Sequence, residues 1–301
     1  MKKLVLAALA FGALAACQKS EGVVDHLPKR GESDKPVTMP KPAVASSAKE
    51  LKPTGTVEER LGRLEKRVNQ ITAILEQALP PKEPDPAKHY AAAISPIDPV
   101  EGPADAKVTI VEGYEFLCPY CWKASATVEQ IRAAYPKDVR VVNKYFLIHG
   151  PPAIGPGMAA CAASKQGKFS EMKKAIWGKL FNEEGKVQQD QLGADNMKKL
   201  AADLGLKADQ FEADMNSPEC QGWLESSQAT LQPLGTTGTP SFYINGRHVG
   251  GALPFEQMKA IIDEELAAAD KAIAGGVKQA EYYNQEILGK GETHVAGYFD
   301  E

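Results

Sequence analysis

The chain has 301 residues, with 35 basic against 39 acidic side chains and a net charge of -4. That length allows one large domain or two small ones, and a slight acidic balance gives no global basic field, which argues against nucleic acid as the main partner. Hydrophobic residues at 43% and aromatic residues at 7% exclude a wholly disordered chain and one that crosses a membrane many times.

The chain has five cysteines, and an odd number of thiols cannot all pair internally. The first element accounts for one of them. Lys2 and Lys3 precede an apolar run, residues 4–16, that is too short to span the ~30 Å of a bilayer as a helix of ~20 residues. It reads as a removable export signal. The run closes on Leu14-Ala15-Ala16-Cys17, which resembles the lipobox of bacterial lipoproteins. The resemblance implies that residues 1–17 are a lipoprotein signal, that Cys17 is diacylated on sulfur, and that the protein is lipid-anchored to a bacterial membrane, facing the periplasm. The competing reading is an ordinary secretory signal with Cys17 incidental. In either case the mature chain meets an oxidising compartment where disulfide chemistry is available.

Residues 18–55 carry Pro28, Pro36, Pro40, Pro42 and Pro53 among Lys, Glu, Ser and Gly, the composition of a flexible tether. Residues 80–104 repeat that composition and read as a second proline-rich linker, or as a strap lying on the body. Between them, 56–79 has the pattern of a coiled-coil-like helix. Thr56 and Glu59 form a T-x-x-E capping box, and Pro80-Pro81 stop the helix. Val57, Leu61, Leu64, Val68, Ile71, Leu75 and Ala78 recur at strict 4-3 spacing, and Arg60 and Glu65 fall where an interchain pair would form. Isolated, such a helix is marginal in water. Its seam predicts a homo-oligomer, dimer or trimer; the alternative is an amphipathic helix lying on the protein's own domain.

The residues at 108–111, Val-Thr-Ile-Val, read as a buried strand that leads into Cys118-Pro119-Tyr120-Cys121, followed by helical spacing through Ala126, Val128, Ile131 and Ala134. A C-x-x-C at the junction of strand and helix suits thiol–disulfide exchange. Cys118 falls at the N-cap and Pro119 at the first helical position, where its missing N–H is no loss. The Cys118 sulfur then lies over unpaired backbone N–H groups at the positive end of the helix dipole. A thiol of pKa ~8.5 is only about 3% thiolate at pH 7, so an effective nucleophile needs a depression of about two units, more than a helix dipole alone supplies. Direct N–H donors to sulfur must contribute. Cys121, one turn inside, is the buried resolving thiol. No second C-x-x-C or H-x-x-x-H supplies zinc ligands, and Trp122 stands where haem attachment needs His. The motif asks for no metal and no cofactor.

Glu112, the C-P-Y-C motif, the strand-like 139–146, the stretch 149–169 and Gly238-Thr239-Pro240-Ser-Phe-Tyr-Ile-Asn-Gly-Arg247 together resemble the bacterial DsbA-like family of thiol–disulfide oxidoreductases. The resemblance covers residues 105–269. It implies an α/β thioredoxin fold with a helical insertion, about residues 150–232, between the central strand and a cis-proline hairpin. Thr239-Pro240 matches the family's cis-proline loop, which lies against the two cysteines and orients an extended substrate. Glu112 matches the buried acid that relays a proton to Cys121, its pKa raised by burial; the alternative is a surface carboxylate. Glu115 competes for that role and is expected to be exposed. Tyr120 departs from the strong oxidants of the family, which carry His between the cysteines, so the disulfide is expected to be less oxidising. Independently of any family, Asn245-Gly246 signals a hairpin turn and residues 253–268 a closing helix.

Cys161 and Cys220 are either a structural disulfide or two buried thiols. Trp177, Trp223 and Met197 read as core of the insertion, and His149 as a contact at a helix start. Residues 270–301 read as an accessory segment packed on the body. The combined expectation is an exported disulfide oxidoreductase acting on unfolded or cysteine-containing exported proteins and served by a membrane redox partner. An oligomeric isomerase or reductase of the same fold is the nearest alternative, and a non-catalytic peptide-binding holdase the next.

Overall fold

A computed structural model describes residues 54–80 and 82–298. The signal segment, Cys17 and most of the tether lie outside the described residues.

Helix α1, Val57–Ala78, begins at the expected box: the Thr56 N–H donates to Glu59 Oε2 at 3.0 Å and the Glu59 N–H to Thr56 Oγ1 at 3.3 Å. Its apolar stripe is exposed, from 72% at Val57 to 44% at Leu75.

The main body is built on β2, Val108–Tyr114, whose seven residues are all buried, as a central strand covered on both faces requires. β2 runs parallel to β3 (Val139–Tyr145), joined to it through α2 (Pro119–Ala134), and antiparallel to β4 (Ser241–Ile244). β5 (Arg247–Gly250) and the short β1 (Val100–Glu101) complete a sheet of order β1-β3-β2-β4-β5. Between β3 and β4 the chain makes the helical insertion: α3 (Ile154–Ser164), α4 (Phe169–Leu180), α5 (Ala194–Asp203), α6 (Ala208–Met215) and α7 (Pro218–Leu231). The expected α/β architecture, with its insertion ahead of the cis-proline hairpin and a helix preceding the domain, is present.

Strand alternation sends the two faces to different partners. Val108, Ile110, Val141 and Phe242 pack against Ala124, Val128 and Ile131 of α2 and against Met258 and Ile262 of α8 (Phe255–Ala274). Val111, Val142 and Tyr243 pack against Leu231, Ala269, Tyr90 and Tyr283. A third cluster joins the insertion to the ends of β2 and β3 through Tyr114, Phe116, Tyr145 and Trp223, and it includes Cys118 and Cys121.

The hairpin turn takes Asn245 at φ 44° and Gly246 at φ 88°, the left-handed pair such a two-residue turn requires. A Cβ on Gly246 would stand 2.9 Å from the Tyr90 backbone, so only glycine fits. That contact shows what becomes of the stretch 82–104. It is a strap and not a free linker: Tyr90 is buried, its N–H donates to the Gly246 carbonyl, and β1 pairs with β3. The C-terminal segment, a 3-10 turn Gln279–Glu281 and a π-helical turn Tyr283–Leu288, lies along the strap, with the Tyr283 hydroxyl donating to the Ala92 carbonyl at 2.8 Å.

Candidate active site

After β2 the loop 115–118 delivers Cys118 to the N-cap of α2, with Pro119 as the first helical residue and φ -81°, ψ 115° at the cysteine. No side chain caps this helix end, which leaves its N–H groups for the sulfur. The Cys118 thiol is lowered to about 6. A hydrogen bond from the Cys121 thiol is the largest cause. Burial works against it, and the Thr239 side chain and the backbone N–H groups of Cys121 and Tyr120 add to the lowering. Cys121 is fully buried, and its thiol is pushed well above the ordinary value, first by burial and then by Cys118 itself. The two sulfurs of one C-x-x-C are thus driven in opposite directions.

Across the site the Thr239–Pro240 peptide is cis, and the Cys118 Sγ lies 3.2 Å from the Thr239 carbonyl oxygen. Tyr120 projects into solvent at 62% exposure. Trp122 turns away and stacks on Phe181 with ring centroids 5.2 Å apart.

Glu112 is fully buried, on β2, with one carboxylate oxygen 2.7 Å from Lys173 Nζ of α4. The same ammonium donates to Asn143 Oδ1 at 2.5 Å and sits over the Tyr114 ring at 4.5 Å. Glu112 is thus buried and not a surface carboxylate, and it is one half of a buried ion pair. Lys173 was not among the expected residues. Its signal lay in the helical spacing of Phe169, Lys173 and Trp177, which sets a lysine on the apolar face of α4.

Glu115 overturns its expectation. It is fully buried, and its carboxylate accepts the N–H groups of Ile148 and His149, the latter at 2.8 Å, and pairs with His149 Nδ1. The chain turns back on itself after β3, which brings residues 148–149 over the loop; nothing local at position 115 announces this. His149 is thus the partner of Glu115 as well as a residue near the start of the insertion.

Cys161 of α3 and Cys220 of α7 form a disulfide, with Cα atoms 5.6 Å apart. Trp177, Trp223 and Met197 are buried in the insertion core, as expected. Among the described residues no three His, Cys, Asp or Glu side chains gather as metal ligands, and no helix is long and apolar enough to cross a membrane.

A family model described as thioredoxin matches residues 95–264, more than half of the chain. The chain belongs to the thioredoxin family. A thioredoxin-like oxidoreductase from Silicibacter pomeroyi DSS-3 is 31% identical, the match covering 56% of this chain and 92% of that one at a TM-score of 0.50. BdbD from Bacillus subtilis, in its oxidised form, shares the fold at 18% identity and a TM-score of 0.53, over 62% of this chain and 100% of that one. The protein named Na(+)/H(+) antiporter NhaA from Herminiimonas arsenicoxydans is 30% identical over 167 residues, which are 56% of this chain and 25% of that protein. The chain thus spans about a quarter of the length of the curated relatives it matches. The fold is that of a thioredoxin domain with a helical insertion between β3 and β4.

Proposed function

We propose that the protein is an exported thiol–disulfide oxidoreductase that exchanges disulfides with cysteine-containing protein substrates through Cys118 and Cys121. The observation that carries this reading is the placement of the two thiols: Cys118 at the uncapped N-terminus of α2, 3.2 Å from the Thr239 carbonyl oxygen and lowered to about 6, and Cys121 fully buried one turn inside and pushed upward. In the oxidising direction a substrate thiolate attacks Cys118 Sγ of the Cys118–Cys121 disulfide, and Cys121 leaves as a thiolate that takes up a proton. A second substrate thiolate then attacks the mixed disulfide, and Cys118 leaves as the stabilised thiolate. Two electrons pass from two substrate thiols to one protein disulfide. In the reducing direction the steps reverse, with Cys118 as nucleophile. The cis-proline loop offers the Thr239 backbone to the substrate chain while Pro240 holds that strand against the sulfur. Glu112, ion-paired with Lys173, is the acid we assign to the Cys121 proton.

The rest of the chain places this chemistry. Cys17 carries the lipid anchor, 18–55 is a tether, 56–79 joins copies of the chain into a dimer or trimer, and 105–269 is the catalytic domain that a membrane redox partner recharges. The exposed stripe of α1 supports self-association and, with several active sites in one assembly, favours disulfide isomerisation as the second reading.

The test is the reduction potential of the Cys118/Cys121 pair against glutathione, together with turnover on reduced and on scrambled ribonuclease. A potential near or above ~ -180 mV with oxidative turnover supports an oxidase, and faster rescue of scrambled ribonuclease supports an isomerase. A potential near ~ -270 mV sinks the oxidase reading. A Cys118→Ser variant that keeps full function in the cell would point instead to a binding protein.

A further inference from the structure

Glu115 is buried to 0% exposure, three residues before Cys118, and its main chain is hydrogen-bonded to the first member of the dithiol. Its carbonyl accepts the Cys118 N–H at 3.2 Å, which ties the loop to the first cysteine of the dithiol. Its side chain points the other way, into the entry of the insertion. One carboxylate oxygen accepts the N–H groups of Ile148, at 2.5 Å, and of His149, at 2.8 Å; the other meets His149 Nδ1 at 2.5 Å. Two of these three donors are backbone groups, whose positions are set by the chain and not by a rotamer. A second tie runs beside the first: the Phe116 N–H donates to the Tyr145 hydroxyl at 3.3 Å, and that hydroxyl donates to the Ala153 carbonyl at 2.6 Å.

A buried carboxylate is tolerated where hydrogen bonds satisfy it, and a fully satisfied buried network selects one geometry. Because the residue so held is also the one whose carbonyl takes the Cys118 N–H, its fixation is passed to the backbone of the first cysteine through one hydrogen bond and a few covalent bonds. We propose that Glu115 is a positioning residue that clamps the loop 115–118 to the entry of the insertion and so holds Cys118 and Cys121 in register with the N-terminus of α2. His149, whose ring is 43% exposed, is the outer jaw of that clamp. The proposal rests on thiol exchange at Cys118 and adds to it a residue outside the C-x-x-C and the cis-proline loop.

Glutamine at 115 separates clamp from charge. Its amide oxygen can accept both backbone N–H groups and its NH2 can donate to a neutral His149 ring, so the three hydrogen bonds survive without the carboxylate. Alanine removes them all. The experiment measures the rate of Cys118 alkylation by iodoacetamide between pH 4 and 9 on the reduced full chain, with a thermal melt of each preparation. Wild type is expected to show a midpoint near 6. In Glu115→Ala the sulfur loses its fixed seat over the helix end, and a midpoint one unit higher slows alkylation at pH 6 about five-fold. Glu115→Gln is expected to restore most of that loss, and His149→Ala to show a smaller slowing of about two-fold, for loss of one jaw.

A folded Glu115→Ala variant that alkylates like wild type would overturn the proposal and leave Glu115 with a purely structural role. A glutamine variant as slow as the alanine one would overturn it too, because charge and not the clamp would then be responsible. Should Glu115→Ala fail to melt cooperatively, His149→Ala decides: unchanged alkylation rejects the clamp and slowed alkylation upholds it. A wild-type midpoint near ~8.5 is a different failure, since it removes the redox reading itself.

Discussion

Two helical segments of the chain, the insertion and α1, differ in what becomes of an apolar helix face. The insertion α3–α7 buries its apolar residues against one another and against the ends of β2 and β3, and it carries a buried ion pair and a disulfide. Helix α1 has as regular an apolar pattern, yet Leu61, Leu64, Val68 and Ile71 all stand more than half exposed. Regular spacing therefore says that a helix has a face to cover, and only the rest of the chain says with what. In the insertion the covering is intramolecular, and a lysine on the apolar face is matched by a glutamate on the sheet. In α1 the apolar stripe lies exposed, and the self-association proposed above would cover it.

The largest effect expected from breaking this contrast is in the buried pair. Lys173→Met should lower stability by about 3 to 5 kcal/mol in urea, because Glu112 then keeps a buried charge without its cation and one of its oxygens already has no hydrogen-bond partner. Adding Glu112→Gln should recover a good part of that loss, since no uncompensated charge remains. A single variant within experimental error of wild type would show that the insertion is not fastened to the sheet through this pair. Next comes the disulfide. Cys161→Ser with Cys220→Ser opens a loop of sequence separation 59, for which the chain-entropy relation gives about 4 kcal/mol as an upper figure.

The sequence made some of this legible and hid the rest, for reasons that lie in the range of the interactions. The strand-to-helix delivery of Cys118, the Asn245-Gly246 turn and the T-x-x-E box at Thr56 are each set within a few residues, and each is where its local pattern placed it. Lys173 and Glu115 depend on chain crossings. Lys173 meets Glu112 across 61 positions, and Glu115 meets the residues 148–149 across 33 and 34. A carboxylate three residues before a reactive cysteine looks like a polar loop residue until the donors that satisfy it are in place. For residues 80–104 the prolines left linker and strap both open, and the burial of Tyr90 beside Gly246, which decides for the strap, is visible only in three dimensions.

The dithiol belongs to the insertion's side of the contrast, and its pH dependence follows from the two opposed thiols. Cys118 has a folded value of about 6, below the ~8.5 of an unfolded thiol. Its contribution to the stability of the reduced form is fully present above ~8.5 and is lost as pH falls through 6. Cys121 is shifted the other way, so its contribution is present below ~8.5 and is lost as pH rises beyond that. The stability of the dithiol form relative to the disulfide form should therefore climb from pH 6 to a maximum near ~8.5 and then decline. Urea midpoints of both forms at a series of pH values measure this. A difference that stays flat between pH 6 and 8 would mean that Cys118 is not a thiolate in the folded protein.

The smallest effect on the domain is expected from α1, and there the absence of a large effect carries the argument. Leu64→Asp with Ile71→Asp places two charges on the exposed stripe, and substitutions at exposed positions usually change stability by no more than about 0.5 kcal/mol. The melt of the catalytic domain should therefore be unchanged. If α1 holds copies of the chain together, the same two substitutions desolvate charge in the seam, and sedimentation should show the assembly falling to monomers. Helix content should fall with it, because a lone helix of 22 residues with a single capping box is marginal in water. The three readouts must move in this pattern together. A wild-type chain that sediments as a monomer at every concentration ends the self-association reading. A domain melt that drops with the variant shows the stripe to be covered by the protein's own body, as the insertion's stripe is.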